Sequence, residues 1–360
     1  MEIKSLKLQN WRSHNSLKFE FSGITVLTGA NASGKTNFLE AIYYLATAKS
    51  FRSKDINLIG WDQDFTRIQA VINKGTDKED VAVILEKLPT FGKTVQLNER
   101  KVTTSKILGH LNCVIFTPEE IELIYTLPEA RRRYINLILS QTNIKYAFNL
   151  VHYKKVVEQR NSLLKRLSKG SGNISELELW DGKLAEYASP IIEERLDYLK
   201  QVNEKISGYY NKLSDQKVLL EIKYKPSVDP DEGWAGIIDG LLRNRGRDTL
   251  VGSTSIGPHR DDLVFVMNNR DIVDFASRGE FRTVMLALKL AEIEYFYQKT
   301  GEKPLLLLDD VFSELDECRR DLLSQIFLNQ QTIVTTTDLD HISENILDKA
   351  KIINLGQTCG

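Results

Sequence analysis

The residues from Gly29 to Thr36 combine two glycines, a lysine and a hydroxyl at the spacing that holds a polyphosphate. Gly29-Ala30-Asn31-Ala32-Ser33-Gly34-Lys35-Thr36 fits G-x-x-x-x-G-K-S/T. It follows the β-branched run Ile24–Thr28 and precedes a segment, Asn37 to Leu45, that reads as a helix. In such a loop the glycines let backbone N–H groups wrap the phosphates, and the helix N-terminus adds positive potential. Lys35 is expected to reach the β- and γ-phosphates and the Thr36 hydroxyl to ligate Mg²⁺. Gly29, Ala30, Asn31, Ala32, Ser33, Gly34 and Asn37 complete the expected nucleotide contacts. ATP and Mg²⁺ are the cofactors implied.

That site needs a carboxylate for the metal. Leu305-Leu306-Leu307-Leu308-Asp309-Asp310 is an apolar run ending in two acids, the Walker B pattern. Asp309 is expected to hold Mg²⁺, directly or through water, and Asp310 to polarise the attacking water. Lys35, Asp309 and Asp310 are therefore the catalytic candidates.

Positioning these groups takes an α/β framework. Residues 3–8, a segment flanked by Phe19 and Phe21, and Ile24–Thr28 read as strands, and Phe65 to Val102 as an antiparallel meander with turns at Asn73–Thr76 and Pro89–Gly92. The middle changes period. Val156, Leu163 and Leu167, then Leu184, Ala188, Ile191, Arg195, Leu199, Val202 and Ile206, fall at helical spacing on either side of Ser168–Asn173. That is a helical hairpin packed as a subdomain rather than a long coiled coil, since each stripe lasts only a few heptads. Strand Val218–Tyr224, helix Phe281–Tyr297, strand Leu305–Leu308, helix Glu317–Leu328 and strand Thr332–Thr336 follow. The division predicted is 1–140 and 251–360 as two parts of an ATPase head (lobe I), with 141–250 as a helical lobe II.

Ser277-Arg278-Gly279-Glu280-Phe281-Arg282-Thr283 reads, taken alone, as a helix start with Ser277 capping and Glu280 completing a capping box. A capped N-terminus is also an anion site, so Ser277 and the Gly279 backbone could serve a second molecule's γ-phosphate. The order phosphate loop, S-x-G-x-x-R-T, Walker B, Ser313-Glu314-Leu315-Asp316 resembles the ABC-type ATPases of the SMC group, and within them the RecF-like family. Further marks are Asn10-Trp11-Arg12-Ser13-His14, Phe116–Glu120, Arg131–Arg133, Arg247-Asp248 and, most particular, Gly257-Pro258-His259-Arg260-Asp261-Asp262. The likeness runs from Met1 to about Asn354.

The resemblance implies an ABC-type P-loop ATPase head with a mixed sheet, an antiparallel meander and a helical second lobe. It implies ATP sandwiched between two copies, Ser277 and Gly279 acting in trans, with Ser313–Asp316 crossing the dimer interface and Arg12 and Ser13 touching phosphate or base in cis. It further implies slow, DNA-dependent ATP hydrolysis, binding to duplex DNA and gap junctions, RecR as a partner, help in loading RecA at single-strand gaps, and a part in replication restart and SOS induction. This sequence departs from the pattern where Glu280 and Phe281 stand in place of glutamines. It also lacks a switch histidine, so Thr337 or Asp338 is expected as a lesser phosphate sensor, and Glu119 or Glu120 stands where a Q-loop glutamine would. His259 reads as a hydrogen-bonded turn residue that, with Arg260, Asp261 and Asp262, links lobe II to the nucleotide site.

Composition narrows the partners. Lys+Arg 48 against Asp+Glu 49 leaves a net charge of -1, so any DNA contact must come from a local patch. Lys49, Arg52, Lys54, Lys74 and Lys78 are the candidates, with Lys93, Arg100 and Lys101 beside them in sequence. No aromatic residues alternate with these bases, which favours backbone-directed duplex binding over base stacking. Three scattered cysteines, no leader-like N-terminus and no apolar run of spanning length point to a cytoplasmic protein that does not enter a membrane. Competing readings are another SMC-like ATPase with a chromosome-maintenance role, and a DNA-binding adaptor merely stabilised by nucleotide. A transporter energiser is disfavoured by the missing switch histidine and Leu-Ser-Gly-Gly-Gln segment.

Overall fold

The computed structural model describes residues 1–118 and 127–355, apart from the side chains of Glu314, Glu317 and Cys318. The chain forms two compact units: Met1–Ile121 with Tyr209–Gln216 and Arg282–Gly360, and Glu122–Gly208 with Lys217–Phe281. The packing-defined second unit thus takes in the helix Pro128–Thr142 and the chain through Phe281, whereas boundaries at 140 and 250 follow the change of hydrophobic period.

The first unit holds two sheets. Strands β1 (Glu2–Trp11), β2 (His14–Glu20), β4 (Phe65–Lys74), β5 (Asp77–Glu86), β6 (Gly92–Leu97) and β7 (Arg100–Val102) pair antiparallel in the order β2-β1-β4-β5-β6-β7. Along β4, buried and half-buried residues alternate, as a sheet with one covered face requires. The second sheet is parallel, in the order β14 (Ala350–Asn354), β3 (Ile24–Thr28), β13 (Thr332–Thr336), β12 (Leu305–Asp309), β8 (Cys113–Phe116). Strands β8, β12 and β13 are buried throughout, which is why β8 and the leucines of β12 read as continuous apolar runs and β13 as a β-branched one, none of them alternating.

The helix Lys35–Thr47 packs against strands of both sheets and is buried on nearly every side. Phe38 meets the ring of Phe19 at 4.6 Å and of Phe21 at 5.9 Å, and Tyr44 meets Trp11 at 5.8 Å. Both sheets therefore fix the axis of the helix whose first residue is Lys35.

In the second unit the helix Ile144–Leu167 and the first part of the helix Glu176–Ser214 form the expected hairpin across a Gly/Ser loop, with Leu163, Leu164 and Leu177 packed together and flanked by Leu167 and Trp180. Arg195, polar within an apolar stripe, is buried because Asn136 Oδ1 (3.0 Å), the Pro258 carbonyl (2.8 Å) and the Tyr146 and Tyr224 hydroxyls receive its guanidinium. Strands β9 (Leu220–Lys225), β10 (Asp262–Met267) and β11 (Arg270–Asp271) form a three-stranded antiparallel sheet. Among the described residues no helix is long and apolar enough to cross a membrane.

Candidate nucleotide site

The loop Gly29–Gly34 joins the carboxyl end of β3 to the helix Lys35–Thr47, the strand–loop–helix context its motif requires. Gly34 has φ +92°, and a Cβ there would lie 2.5 Å from the His14 ring. Glycine is thus demanded twice, by the backbone and by the space. His14 Nε2 lies 3.3 Å from the Gly34 carbonyl. Burial lowers the His14 pKa, and the Gly34 carbonyl opposes that shift.

Lys35 is buried and folds its ammonium onto its own loop, donating to the carbonyls of Gly29 (2.7 Å) and Ala30 (3.0 Å). Burial lowers its pKa, against the charges of Asp310 and then Asp309. Thr36 Oγ1 donates to Asp309 Oδ1 at 3.0 Å. The same carboxylate oxygen accepts the Thr335 hydroxyl at 2.7 Å, because β12 and β13 run in a register that sets Asp309 opposite Thr335. The backbone thus brings Lys35, Thr36, Asp309 and Asp310 together, as the motifs anticipate.

Asp310 sits in the left-handed region at φ +52°, a conformation uncommon outside glycine. Its N–H is held by the Thr335 carbonyl and hydroxyl, both at 3.1 Å, and its carbonyl accepts from Ser313 Oγ at 2.7 Å. Asp310 Oδ1 and Ser33 Oγ are buried without a hydrogen bond from any described residue.

The turn between β1 and β2 lies alongside. Asn37 donates to Ser13 Oγ at 3.0 Å, and the Trp11 indole donates to the Asn37 carbonyl at 2.7 Å. Arg12, in the left-handed region at φ +51°, grips the carboxylate of Glu40 at 2.6 and 2.7 Å and donates to Ser53 Oγ. Arg52, a DNA candidate, donates to the same carboxylate at 3.1 Å and to Asn37 Oδ1. Burial alone would raise the Glu40 pKa, but bonds from Arg12, Arg52 and Ser50 outweigh it and hold the group below the usual carboxylate range. Neither Glu40 nor Thr335 carries a local motif. The signal for Thr335 was its place at the end of a strand beside Walker B; for Glu40 it was an acid within an otherwise apolar helix.

Of the other DNA candidates, Lys49, Lys54, Lys74 and Lys78 are exposed, and Lys74 Nζ reaches the Gly109 carbonyl at 3.2 Å. Lys93 is engaged internally, with Asp55 at 3.0 Å and the Tyr44 ring at 4.7 Å. Asp338 Oδ1 accepts from the Asp340 N–H, while Thr337 is exposed. Glu119 and Glu120 lie outside the described residues.

In the second unit the capping box forms as the sequence indicates. The Ser277 N–H and hydroxyl both donate to Glu280 Oε2 at 2.8 Å, and the Glu280 N–H returns to Ser277 Oγ at 3.3 Å. The turn Gly257–Asp262 is tied to its own unit by several side chains. Arg131 forks onto Asp262 at 2.8 Å, Arg132 reaches the Asp261 carbonyl at 2.9 Å, and His259 Nδ1 meets the Tyr153 hydroxyl at 2.5 Å. Burial, first among several causes, pushes His259 down to about 4, a neutral imidazole suited to a structural turn.

Comparison with known proteins agrees with this architecture. The family model described as RecF/RecN/SMC N terminal domain matches residues 2–355. The DNA replication and repair protein RecF of Lachnoclostridium phytofermentans is 39% identical over 359 residues, covering 99% of this chain and 98% of that protein. RecF of Bacillus thuringiensis is 38% identical over 365 residues, covering 99% and 97%. A solved structure of the recombination mediator RecF with ATP in the RecFOR pathway aligns with a TM-score of 0.88 and 34% identity, covering 93% of this chain and 92% of that one. An Smc head domain from Pyrococcus furiosus, at 18% identity and a TM-score of 0.54, shares the fold.

Proposed function

The chain belongs to the RecF family, within the RecF/RecN/SMC group, and from that premise we propose that it is an ATP-binding DNA repair protein whose nucleotide joins two copies into a clamp. The observation that carries the reading is the convergence of Lys35, Thr36 and Asp309 at the end of the parallel sheet, with Asp310 Oδ1 buried beside them without a hydrogen bond from any described residue.

Lys35, once its ammonium leaves the Gly29 and Ala30 carbonyls, reaches the β- and γ-phosphates; the N–H groups of Ala30 to Lys35 wrap them. Mg²⁺ takes oxygen donors, and the Thr36 hydroxyl and Asp309 carboxylate, 3.0 Å apart, fit it. When bound, it neutralises charge on the β- and γ-phosphate oxygens. Thr335 holds Asp309 in place, and Asp310 orients and deprotonates the attacking water. Slow, DNA-dependent hydrolysis then separates the copies.

Ser277 and Gly279 close the partner copy's nucleotide in trans, and Ser313–Asp316 lies along the joint. Exposed Lys49, Lys54, Lys74 and Lys78 supply backbone-directed contacts to duplex DNA and gap junctions. RecR is the protein partner, and assistance to RecA at single-strand gaps, replication restart and SOS induction are the cytoplasmic roles. The 99% coverage of RecF relatives and the 0.88 TM-score to RecF with ATP support this reading. Light scattering with ATP and Mg²⁺ tests it. Wild type is expected to dimerise, Lys35→Ala to bind no ATP, and Ser277→Arg to bind ATP yet stay monomeric. A wild type that remains monomeric with ATP bound would overturn the clamp.

A further inference from the structure

Arg319 stands in the first turn of the helix Glu317–Phe327, just after the Ser313–Asp316 segment, and no motif includes it. A cation opposes the positive end of a helix, so the stability of that helix does not account for its place. Its guanidinium instead joins two segments. Nη1 donates to Asp316 Oδ2 at 2.8 Å, and Nη2 donates to Thr283 Oγ1 at 2.8 Å. Asp316 Oδ1 accepts the Arg319 N–H at 3.0 Å, so one residue grips that carboxylate through both backbone and side chain. Thr283, the last residue of S-x-G-x-x-R-T, is buried on the helix Arg278–Thr300, within two helical turns of Ser277. Asp316, Arg319 and Thr283 all belong to the first compact unit. The rest of the segment is held as well: Ser313 Oγ donates to the Asp310 carbonyl at 2.7 Å, and Arg320 Nε to the Leu315 carbonyl at 2.9 Å. An ion pair as exposed as Arg319 with Asp316 adds little stability. What a planar fork with two acceptors adds is a fixed geometry, which a lysine does not supply.

We infer that Arg319 is a positioning residue that couples the Asp310–Asp316 segment to the helix begun by Ser277, so that one copy's own nucleotide sets the surface that closes its partner's. The inference rests on the two-copy reading above, in which Asp310 serves a copy's own nucleotide while Ser277 and Gly279 serve the other's. Arg319 acts on neither nucleotide directly. It ties together the two surfaces of one copy, from Asp310 through Ser313 to Asp316, and from Asp316 to Thr283. Cutting that tie leaves the phosphate loop as it was and loosens the joint. Linkage makes the coupling reciprocal, so binding of ATP to the two copies is cooperative while the tie holds.

The experiment compares full-length wild type, Arg319→Gln, Arg319→Lys, Thr283→Val, Thr283→Ser and the double variant Arg319→Gln with Thr283→Val. Sedimentation with ATP and Mg²⁺ reads dimerisation, and a fluorescent ATP analogue at protein concentrations too low for dimers reads single-copy affinity. Phosphate release, at concentrations that dimerise every variant, gives the Hill coefficient in ATP. Thermal midpoints report folding. Arg319→Gln and Thr283→Val should each weaken dimerisation about tenfold, the loss of one charge-assisted hydrogen bond, and bring the Hill coefficient down to about 1. Single-copy affinity of Arg319→Gln should stay within about twofold of wild type. Thr283→Ser keeps the hydroxyl and should behave as wild type, whereas Arg319→Lys keeps only the charge and should not. The double variant should lose no more than either single one. Folded Arg319→Gln and Thr283→Val that dimerise within about twofold of wild type would overturn the inference. Single losses that multiply in the double variant, or a lowered midpoint with dimerisation and Hill coefficient unchanged, would overturn it too. If Thr283→Val does not fold, Arg319→Gln alone decides by the same threshold. A wild type that stays monomeric with ATP bound overturns the clamp reading and this inference with it; a wild type that dimerises beside equally dimerising variants overturns this inference alone.

Discussion

Thr335 Oγ1 stands 2.7 Å from Asp309 Oδ1, the oxygen that also accepts the Thr36 hydroxyl at 3.0 Å. One carboxylate oxygen is therefore oriented by a hydroxyl from the neighbouring strand and another from the first turn of the helix after the phosphate loop, and a metal ligand so held depends on its support. Thr335→Val keeps the volume of a fully buried side chain and deletes one donor. Mg²⁺ affinity in the presence of ATP is expected to fall by about tenfold, at the lower end for outer-shell partners. ATP binding without metal should hardly change. Titration of Mg²⁺ against a fluorescent ATP analogue reads both.

Asp310 offers a cleaner separation of binding from turnover. Its Oδ1 is buried without a described hydrogen bond, while its N–H and carbonyl fix the backbone through Thr335 and Ser313. Asp310→Asn preserves those backbone bonds and removes the base. Hydrolysis measured by phosphate release is expected to fall by about 10² or more, with ATP affinity within about threefold of wild type. The variant should then accumulate as an ATP-bound dimer, visible in light scattering.

Glu280 binds the very hydroxyl proposed to serve the second copy's nucleotide. Its negative charge opposes an incoming γ-phosphate by about 1 kcal/mol at exposed-surface dielectric. Glu280→Gln retains an oxygen for the Ser277 N–H and hydroxyl and loses the charge, so ATP-driven dimerisation should tighten about fivefold. Glu280→Ala instead loses half the capping box and should cost about 1 kcal/mol of stability. Sedimentation with ATP and urea unfolding without it distinguish the two effects.

The parts legible in the sequence are those whose chemistry is local. Gly29–Thr36 and Leu305–Asp310 declare themselves within a few residues, and Ser277 with Glu280 spells a capping box across three. What stayed hidden reaches the site from a distance. Thr335 acts through strand register, and Glu40 looks like an ordinary helix acid until Arg12 and Arg52 arrive from separate turns. The helix Gly233–Val251 was missed because Gly236, Gly240 and Gly246 dilute its period; Gly240 faces Ile256 and Val228 so closely that a Cβ would collide. The strand Cys113–Phe116 was too short to separate from any buried apolar run.

His259 gives the second unit a pH signature. Its folded-state pKa is depressed to about 4, chiefly by burial, below the ordinary histidine value of 6.5. Between those values the unfolded chain binds a proton that the folded one refuses, so stability rises with pH across that window. The contribution is complete above about 6.5, declines as pH falls, and levels off below about 4. At pH 5 it amounts to a loss of about 2 kcal/mol relative to pH 7.5, from 1.36 kcal/mol per pH unit. His259→Gln can still meet the Tyr153 hydroxyl and does not titrate. Urea unfolding at pH 7.5 and pH 5 should show wild type losing about 2 kcal/mol more than the variant. Equal losses would mean that His259 carries its proton in the folded state, and that burial beside Tyr153 and Thr254 does not exclude the imidazolium.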